Sequence, residues 1–365
     1  MSIIIFLISL ALLILVHEFG HFIVAKISGI RVDEFGLGFP PKLLSKKYGQ
    51  TLYTINAIPF GGFVKIYGEN SHTVEISEID KPRSFLYKPK WIQALVLVAG
   101  VSMNIIFAWF LISVGFMIGL PTPVDHSGFG TAQDLQVVVV EVMPESPAEK
   151  AGLKIGDTVS SVSDGKKIIQ NQDLTPENIS ALINESQETV DISYRRGKEI
   201  AETISLEADA NIVSGRKVIG ITMENIGILK LPIHLAVLEG ARTTWLLTKA
   251  TVVGLGSFFR DIVVLKSDFS QVAGPVGIAG VVSEAKDLGF VYLISLVALI
   301  SINLAIINLL PFPALDGGRL LFVAIEAIIR RPISPKVVQW SNVAGFAFLI
   351  ILMIIVTIND VSKLL

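Results

Sequence analysis

Two histidines and a glutamate, His17, Glu18 and His21, stand inside an apolar run that is long enough to cross a membrane. Ionisable side chains at membrane depth are costly, so their presence indicates a functional site. His17 and His21 are four residues apart and share one face of a helix, where two imidazoles can bind one zinc ion. Glu18 is placed between them to act as a general base on a water molecule. The spacing predicts zinc-dependent hydrolysis; the alternative is a buried histidine pair with a structural role.

A catalytic zinc ion needs a third protein ligand, and the chain has no cysteine to offer. Asp316 follows an apolar run that Pro311 and Pro313 end, and non-helical backbone at membrane depth is tolerated where it is buried or lines a cavity. Asp316 is therefore the predicted third ligand; the alternative is a helix-terminal aspartate near the lipid headgroups. The remaining histidines lie in polar or interfacial stretches and are predicted to be surface residues: His72, His126 and His234.

The composition indicates a membrane protein. Of 365 residues, 52% are hydrophobic and only 17% are charged, which is unusual for a soluble protein. The net charge of -2 gives no sign of a nucleic-acid partner. Four segments can span a bilayer, at residues 3–25, 92–120, 291–310 and 337–358. The first lacks the positive start of a signal peptide and carries the metal motif, so we expect it to be retained.

Lysine and arginine set the predicted orientation. They are concentrated in residues 26–90 and 319–336, whereas only Lys363 follows the fourth span. The positive-inside rule places both basic regions in the cytoplasm and both termini outside. His17 lies roughly 21 Å along the first span, about two-thirds of the way across. Asp316 reaches the same cytoplasmic side, so the three ligands can meet there.

The extramembrane segments complete the predicted fold. Residues 134–228 read as short strands and two helices, a small α+β domain. Residues 229–287 read as an interfacial linker, in which 245–265 form an amphipathic helix interrupted by charges. Residues 51–67 read as two strands around Pro59-Phe60-Gly61-Gly62. We therefore predict a multi-pass α-helical membrane protein with four transmembrane helices, a membrane-associated β-hairpin or sheet, and one inserted extracytoplasmic α+β domain, the membrane core being formed by residues 1–120 and 288–365.

These motifs resemble the site-2-protease family of intramembrane zinc metalloproteases, in particular the bacterial sigma-factor-regulating type with a single PDZ domain. The resemblance rests on His17–His21, on Leu315-Asp316-Gly317 and on the PDZ-like insert at 134–228. Shorter signatures agree: Phe35-Gly36-Leu37-Gly38-Phe39, Ile58-Pro59-Phe60-Gly61-Gly62-Phe63-Val64-Lys65 and Gly274-Pro275-Val276-Gly277-Ile278. Gly100-Val101 departs from the Gly-Pro of many relatives.

The resemblance implies one Zn²⁺ per chain, with His17, His21 and Asp316 as ligands and Glu18 as the base. It also implies a substrate-binding role for four residues: Asn303, Asn308, Gly61 and Gly62. The β segment is expected to pair one edge with an unwound substrate, the alternative being a self-contained hairpin. The PDZ-like domain either binds a C-terminal carboxylate or excludes untrimmed proteins, and the family favours exclusion.

The implied substrates are single-span proteins of the bacterial cytoplasmic membrane, anti-sigma factors or remnant signal peptides, first trimmed by an outer-side protease. Two other functions stay open. A proteolytically inactive adaptor would use only the PDZ-like domain and would not need the metal motif. A zinc-gated transporter is disfavoured by four spans without a visible repeat.

Overall fold

The computed structural model describes residues 2–69, 78–186, 189–197, 200–213, 216–264 and 274–364. The chain forms two compact units. The membrane unit comprises residues 1–112, 240–283 and 295–365, and the sheet unit comprises residues 113–239 and 284–294. The helices are α1 Ser2–Ile27, α2 Lys90–Ile118, α3 Pro147–Lys150, α4 Pro176–Glu185, α5 Ile233–Val263, α6 Pro275–Leu288, α7 Phe290–Leu309, α8 Asp316–Ile329 and α9 Pro335–Leu364.

The strands are β1 Val32–Tyr48, β2 Thr51–Ile66, β3 Leu120–Pro123, β4 Gln133–Val142, β5 Thr158–Ser163, β6 Ile168–Gln170, β7 Val190–Arg195, β8 Glu202–Leu206, β9 Asp209–Val213, β10 Arg216–Val218 and β11 Ile221–Leu229. Within the described residues, four helices are long and apolar enough to cross a membrane: Ile3–Ile27, Lys90–Ile118, Phe290–Leu309 and Pro335–Ser362. The prediction of four membrane helices is confirmed. Helix α5 begins well before the predicted residue 245 and is not among the four.

The end of α1 is fixed by a glycine. Gly29 has a φ of +65°, a conformation that glycine adopts without a Cβ penalty. Its N–H donates to the carbonyl of Lys26 at 3.1 Å, and the N–H of Ile30 donates to the carbonyl of Ala25 at 2.9 Å. This is the Schellman arrangement. Ile30 and Ala25 both join a buried apolar cluster with Val32, so the chain turns from the membrane helix directly into β1.

Strands β1 and β2 bend back on each other and pair as four segments. Residues 35–37 pair on one side with 53–55 and on the other with 62–64, while 44–47 pair with 52–55. The order across this sheet is therefore 42–48, 51–56, 32–39 and 61–66. The sequence predicted two strands within 51–67 but not β1, whose glycine, proline and lysine residues interrupt the usual alternation.

The sheet unit has a continuous path of strands, β3-β11-β4-β5-β7-β8, with β6 paired to β5. Its core joins the inward residues of these strands to Ile179, Leu182 and Ile183 of α4. Helix α4 starts at Thr175, whose hydroxyl accepts the N–H of Asn178 at 3.2 Å, as an N-cap does. The short strands predicted within residues 134–228 are present, at β4, β5, β7 and β8, whereas the sequence did not indicate β3, β6, β9, β10 or β11.

Candidate metal centre

Three potential ligand atoms converge in the membrane unit. Helix α1 presents His17 and His21, each only 6% exposed, with their Nε2 atoms 3.1 Å apart. Asp316, at the start of α8, places Oδ2 at 2.8 Å from Nε2 of His17 and 3.1 Å from Nε2 of His21. Among the described residues, these three side chains are the one group of potential ligands close enough together to hold a metal ion. The structure thus brings together the three ligands expected from the sequence.

The hydrogen bond at His21 shows why this cluster suits a cation. Its Nδ1 lies 2.8 Å from the carbonyl oxygen of Val96. A carbonyl only accepts, so Nδ1 carries the proton and Nε2 of the neutral ring has a lone pair. That lone pair faces the carboxylate of Asp316 and Nε2 of His17. This lone pair and the carboxylate are both acceptors and repel each other, whereas a cation between them would be bound by both and by Nε2 of His17. Two imidazoles with one carboxylate are a zinc donor set.

Two glycines allow Asp316 to reach the histidines. A Cβ on Gly317 would lie 2.2 Å from the carbonyl oxygens of Leu309 and Leu310, and one on Gly318 would lie 2.2 Å from that of Phe312. The chain can therefore double back from α7 into α8 only because these positions lack side chains. This is the physical reason for the Asp-Gly-Gly sequence that closes the predicted broken helix.

Helix α9 supports the same loop. The N–H of Ala314, a residue held at a φ of +74°, donates to Oδ1 of Asn342 at 3.2 Å. A Cβ on Gly345 would lie 2.5 Å from the carbonyl oxygen of Pro313. The rings of Phe312 and Phe348 are 5.5 Å apart. The left-handed backbone at Ala314 is strained for a residue with a Cβ, and these contacts from α9 maintain it.

Glu18 lies beside a strand edge that has no pairing partner among the described residues. Its Oε2 accepts the backbone N–H of Val64 at 3.0 Å. Residues 62–65 pair with 34–37 on their other side, so the N–H of Val64 points away from the sheet and toward α1. The carboxylate expected to act as the base is therefore held next to a strand edge within the membrane unit.

Gly100 is a residue of the site that sequence reasoning did not identify. A Cβ at this position of α2 would lie 2.4 Å from Nε2 of His21 and 2.8 Å from Cε1 of His17. Gly20 packs equally closely, since its Cβ would lie 2.4 Å from the carbonyl oxygen of Ala99. The two glycines bring α1 and α2 into backbone contact at the level of the histidines. Val101, which stands where many relatives have proline, thus directly follows a position at which no side chain larger than a hydrogen atom fits.

The structure places the four other expected site residues as follows. Oδ1 of Asn303 accepts the hydroxyl of Thr251 at 3.3 Å. Asn308 is half-buried near the C-terminal end of α7. Gly61 has a φ of +94°, and its Cβ would lie 2.9 Å from a methyl group of Ile14. A Cβ on Gly62 would lie 3.0 Å from the carbonyl oxygen of Gly36. The glycines let the edge segment approach α1; a substrate-binding role for all four residues stays a prediction.

The remaining histidines differ from one another. His234 is exposed, as expected, and His72 lies outside the described residues. For His126 the expectation of a surface residue is wrong, because its Nε2 lies 3.1 Å from Oε1 of the fully buried Glu239. No periodic pattern in the sequence indicated this pair.

A pair of histidines one turn apart, a carboxylate between them, a distant aspartate and four membrane-length helices define a membrane metallopeptidase by class. Comparison with known proteins agrees. Residues 5–352 match the model of peptidase family M50. A Clostridium perfringens protein named as a presumed zinc metalloprotease is 36% identical over 362 residues, covering 99% of this chain and 98% of that protein.

Two further relatives carry more specific names. The regulator of sigma-W protease RasP of Bacillus subtilis is 28% identical over 439 aligned positions, covering 100% of this chain and 99% of that protein. The zinc metalloprotease RasP of Geobacillus kaustophilus is 29% identical, covering 99% of this chain and 98% of that protein. The chain belongs to peptidase family M50, the site-2 proteases, which confirms the resemblance drawn from its motifs. It is a zinc metalloprotease.

Proposed function

We propose that this protein is an intramembrane endopeptidase in which His17, His21 and Asp316 hold the zinc ion and Glu18 is the general base. The observation that carries the proposal is the approach of Asp316 Oδ2 to within 2.8 and 3.1 Å of two imidazole nitrogens almost 300 residues away in sequence. When bound, zinc acidifies water and polarises a substrate carbonyl. Glu18 accepts the proton of the attacking water and returns it to the leaving amine.

The test separates zinc binding from catalysis. In purified, detergent-solubilised protein, Glu18→Gln keeps the shape of the side chain but removes the base. It should retain one zinc ion per chain and lose cleavage of a model single-span substrate by about 10²–10⁴-fold. Asp316→Ala should lose both cleavage and the zinc ion. A Glu18→Gln protein that cleaves normally would contradict the assignment of Glu18 as the base. A wild-type protein that binds zinc but cleaves no single-span substrate would instead favour the adaptor function, which needs no base.

We also propose that the substrate pairs with the strand edge formed by residues 62–65. Support comes from the one-sided pairing of this segment and from its place beside Glu18, whose Oε2 accepts the N–H of Val64 at 3.0 Å. In this proposal the substrate carbonyl takes over that N–H and releases the carboxylate to act as the base. A peptide added as a strand along this edge would lie next to the base with its peptide bonds extended, as hydrolysis requires. Residues 53–55 are less suited, because they are paired on both sides.

Proline substitutions test this edge. Proline is tolerated where the N–H faces away from a sheet, so Val64→Pro and Gly62→Pro should fold. Both variants should lose cleavage. In Val64→Pro the loss could also come from the missing hydrogen bond to Glu18. Gly62→Pro removes an N–H that Glu18 does not bind, so its loss of cleavage would point to substrate pairing. Tyr53→Pro is the matched control, since it disrupts an inner segment and should destabilise the sheet itself. Normal cleavage by folded Val64→Pro and Gly62→Pro proteins would refute edge pairing.

For the PDZ-like domain we propose a steric filter that admits proteins already trimmed outside. The alternative, peptide docking, has a candidate groove of about 540 Å³ between α4 and the segment 216–223. At one end of this groove Lys217 is engaged: its N–H donates to Asn184 Oδ1 at 3.0 Å and its Nζ to the carbonyl of Ser186 at 2.8 Å. A backbone donor that is already bonded is less available to a peptide carboxylate, which supports the filter.

A deletion distinguishes filter from docking. Because β3 pairs with β11, with Pro123 opposite Ile226, residues 124–225 can be replaced by Asn-Gly, a two-residue turn that keeps this pair as a hairpin. A filter predicts that the deleted protein gains cleavage of untrimmed substrate. Loss of cleavage of trimmed substrate, with zinc still bound, would instead show that the domain docks it.

The proposed substrates are single-span proteins of the bacterial cytoplasmic membrane, either anti-sigma factors or remnant signal peptides. The name of the Bacillus subtilis relative, a regulator of sigma-W, supports the first class. The alignment with that relative is longer than this chain, so the relative has segments that this chain lacks. Trapping with Glu18→Gln in native membranes, followed by identification of the fragments that accumulate, distinguishes the two classes.

A further inference from the structure

Asn104 is a fully buried amide in α2, with an exposed fraction of 0%. Among the residues that the structure describes, neither Oδ1 nor Nδ2 of this side chain has a hydrogen-bond partner. A buried polar group without a partner destabilises a protein, and lipid around a helix cannot supply the missing bond. An asparagine at this position therefore points to a partner in the assembled site.

The position of Asn104 places it near the metal centre. It follows Gly100 by one helical turn on the same face of α2, and residues so spaced have Cβ atoms about 5–6 Å apart. The Cβ position of Gly100 is 2.8 Å from Cε1 of His17, the ring carbon bonded to Nδ1. The amide of Asn104 is thus within reach of His17 Nδ1 across one water molecule. The buried hydroxyl of Ser301 donates to the backbone carbonyl of Asn104 at 2.8 Å, so this contact leaves the side-chain amide unbonded.

The two histidines differ in what their outer nitrogens bind. Nδ1 of His21 donates to the carbonyl of Val96 at 2.8 Å. Nδ1 of His17 is buried and, within the described part of the chain, has no partner. Histidines that bind metal almost always donate their other N–H to an acceptor, which fixes the tautomer and the ring orientation. Among the described residues no side chain or carbonyl gives His17 this support, and Asn104, one turn from Gly100 in α2, carries an acceptor without a partner.

We propose that Asn104 is a positioning residue of the metal centre: one bound water accepts the Nδ1–H of His17 and donates to Oδ1 of Asn104. A buried water with two to four polar partners is a normal part of a protein interior. The bond holds His17 in the tautomer whose Nε2 lone pair faces Asp316. The inference rests on the proposed function, because it takes His17 as a zinc ligand.

The test measures zinc affinity of the full-length protein in detergent, by competition with a chelator of known affinity. Asn104→Leu removes the acceptor at similar volume and should weaken zinc binding about 10–100-fold. The zinc-free variant should melt at or above the temperature of the zinc-free wild type, because leucine leaves no unpaired amide. Asn104→Asp keeps an acceptor oxygen and should retain zinc. A purely structural residue would not lower zinc affinity while sparing the stability of the zinc-free protein.

Controls separate this proposal from the assignment of the ligands. Ser301→Ala removes an equally buried hydroxyl from the same helix contact and should bind zinc as the wild type does. His17→Ala and Asp316→Ala should lose zinc. If these two variants retain zinc, the proposed metal centre itself is wrong. If they lose zinc while Asn104→Leu binds it within about threefold of the wild type, only the role of Asn104 is refuted. A threefold change is far smaller than the change expected when the outer partner of a ligand is removed. Should Asn104→Leu fail to fold, Asn104→Ala decides by the same criterion.

Discussion

At the scale of single residues, the proposed metal centre depends on positions that have no side chain as much as on those that have one. His17, His21 and Asp316 bring the donor atoms, but Gly100 provides the space into which the two imidazoles fit. Gly317 and Gly318 do the same for the turn that delivers Asp316. Adding one methyl group at any of these positions would therefore disturb the placement of the potential ligand side chains.

Gly100→Ala should abolish or strongly weaken zinc binding, because its Cβ would lie 2.4 Å from Nε2 of His21 and displace a ligand nitrogen. We expect at least a tenfold to hundredfold loss of zinc affinity, the range seen when ligand orientation is disturbed, measured by chelator competition. Gly115→Ala in the same helix is the control, since its Cβ meets only a methyl group of Leu120 at 3.1 Å. Equal zinc affinity in both variants would contradict the placement of Gly100.

At the scale of secondary structure, α9 fixes elements that carry the chemistry or lie beside it. Its N-terminal half contacts the loop before Asp316 through Asn342 and Gly345. Near its other end, the buried carboxylate of Asp360 accepts the N–H groups of Gly274 and Gly277 at 3.1 and 2.8 Å. Those glycines lie at the start of α6, where free N–H groups and the helix dipole favour a negative charge. The Gly274–Ile278 signature is thus capped by a distant helix.

The contact between α9 and the Asp316 loop predicts a remote effect on the site. Gly345→Ala would place a Cβ 2.5 Å from the carbonyl oxygen of Pro313 and should push the loop away. Cleavage should fall about 10²-fold, the cost of a misplacement near 1 Å, and zinc affinity should fall with it. Gly254→Ala, where the Cβ meets nothing within 4 Å, should leave both unchanged. Normal zinc binding by Gly345→Ala would exclude α9 as the support.

The cap on α6 predicts a change in stability without a change in zinc ligands. Asp360→Ala leaves two N–H groups without their acceptor and should destabilise the protein by about 1–3 kcal/mol, seen as a lower midpoint of thermal unfolding in detergent. Ser362→Ala, an exposed position two residues further on, serves as the control. An unchanged midpoint for Asp360→Ala would show that the cap contributes little.

At the scale of the whole molecule, the predicted arrangement in the membrane can be measured directly. The chain has no cysteine, so any introduced thiol is the only one. Lys166 and Lys47 are both exposed. In intact cells, Lys166→Cys should react with a membrane-impermeant maleimide and Lys47→Cys should react only after the membrane is opened. The reverse pattern would invert the proposed orientation and place the active site toward the outside.

The sequence predicted the parts of this protein that follow local rules. Hydrophobic length identified the four membrane helices. The spacing of His17 and His21, and the proline-broken helix before Asp316, predicted three side chains that the structure brings together. Strand β1 was missed because its glycine, proline and lysine residues are unfavourable for a strand, although its end pairs locally with the start of β2. Gly100 was missed for another reason: a glycine in an apolar helix has many uses, and the need for one appears only when the partner helix is in place. The role we propose for Asn104 depends in the same way on the packing of α2 against α1.

The close contact of Gly20 with Ala99 has a consequence for how the protein responds to its lipid surroundings. With the main chains touching at that level, neither helix can slide along the other without driving a side chain into a carbonyl oxygen. A thinner or thicker bilayer must then be met by tilting both helices together or by adjusting their ends. We therefore expect the proposed coordination geometry to be insulated from changes in lipid chain length.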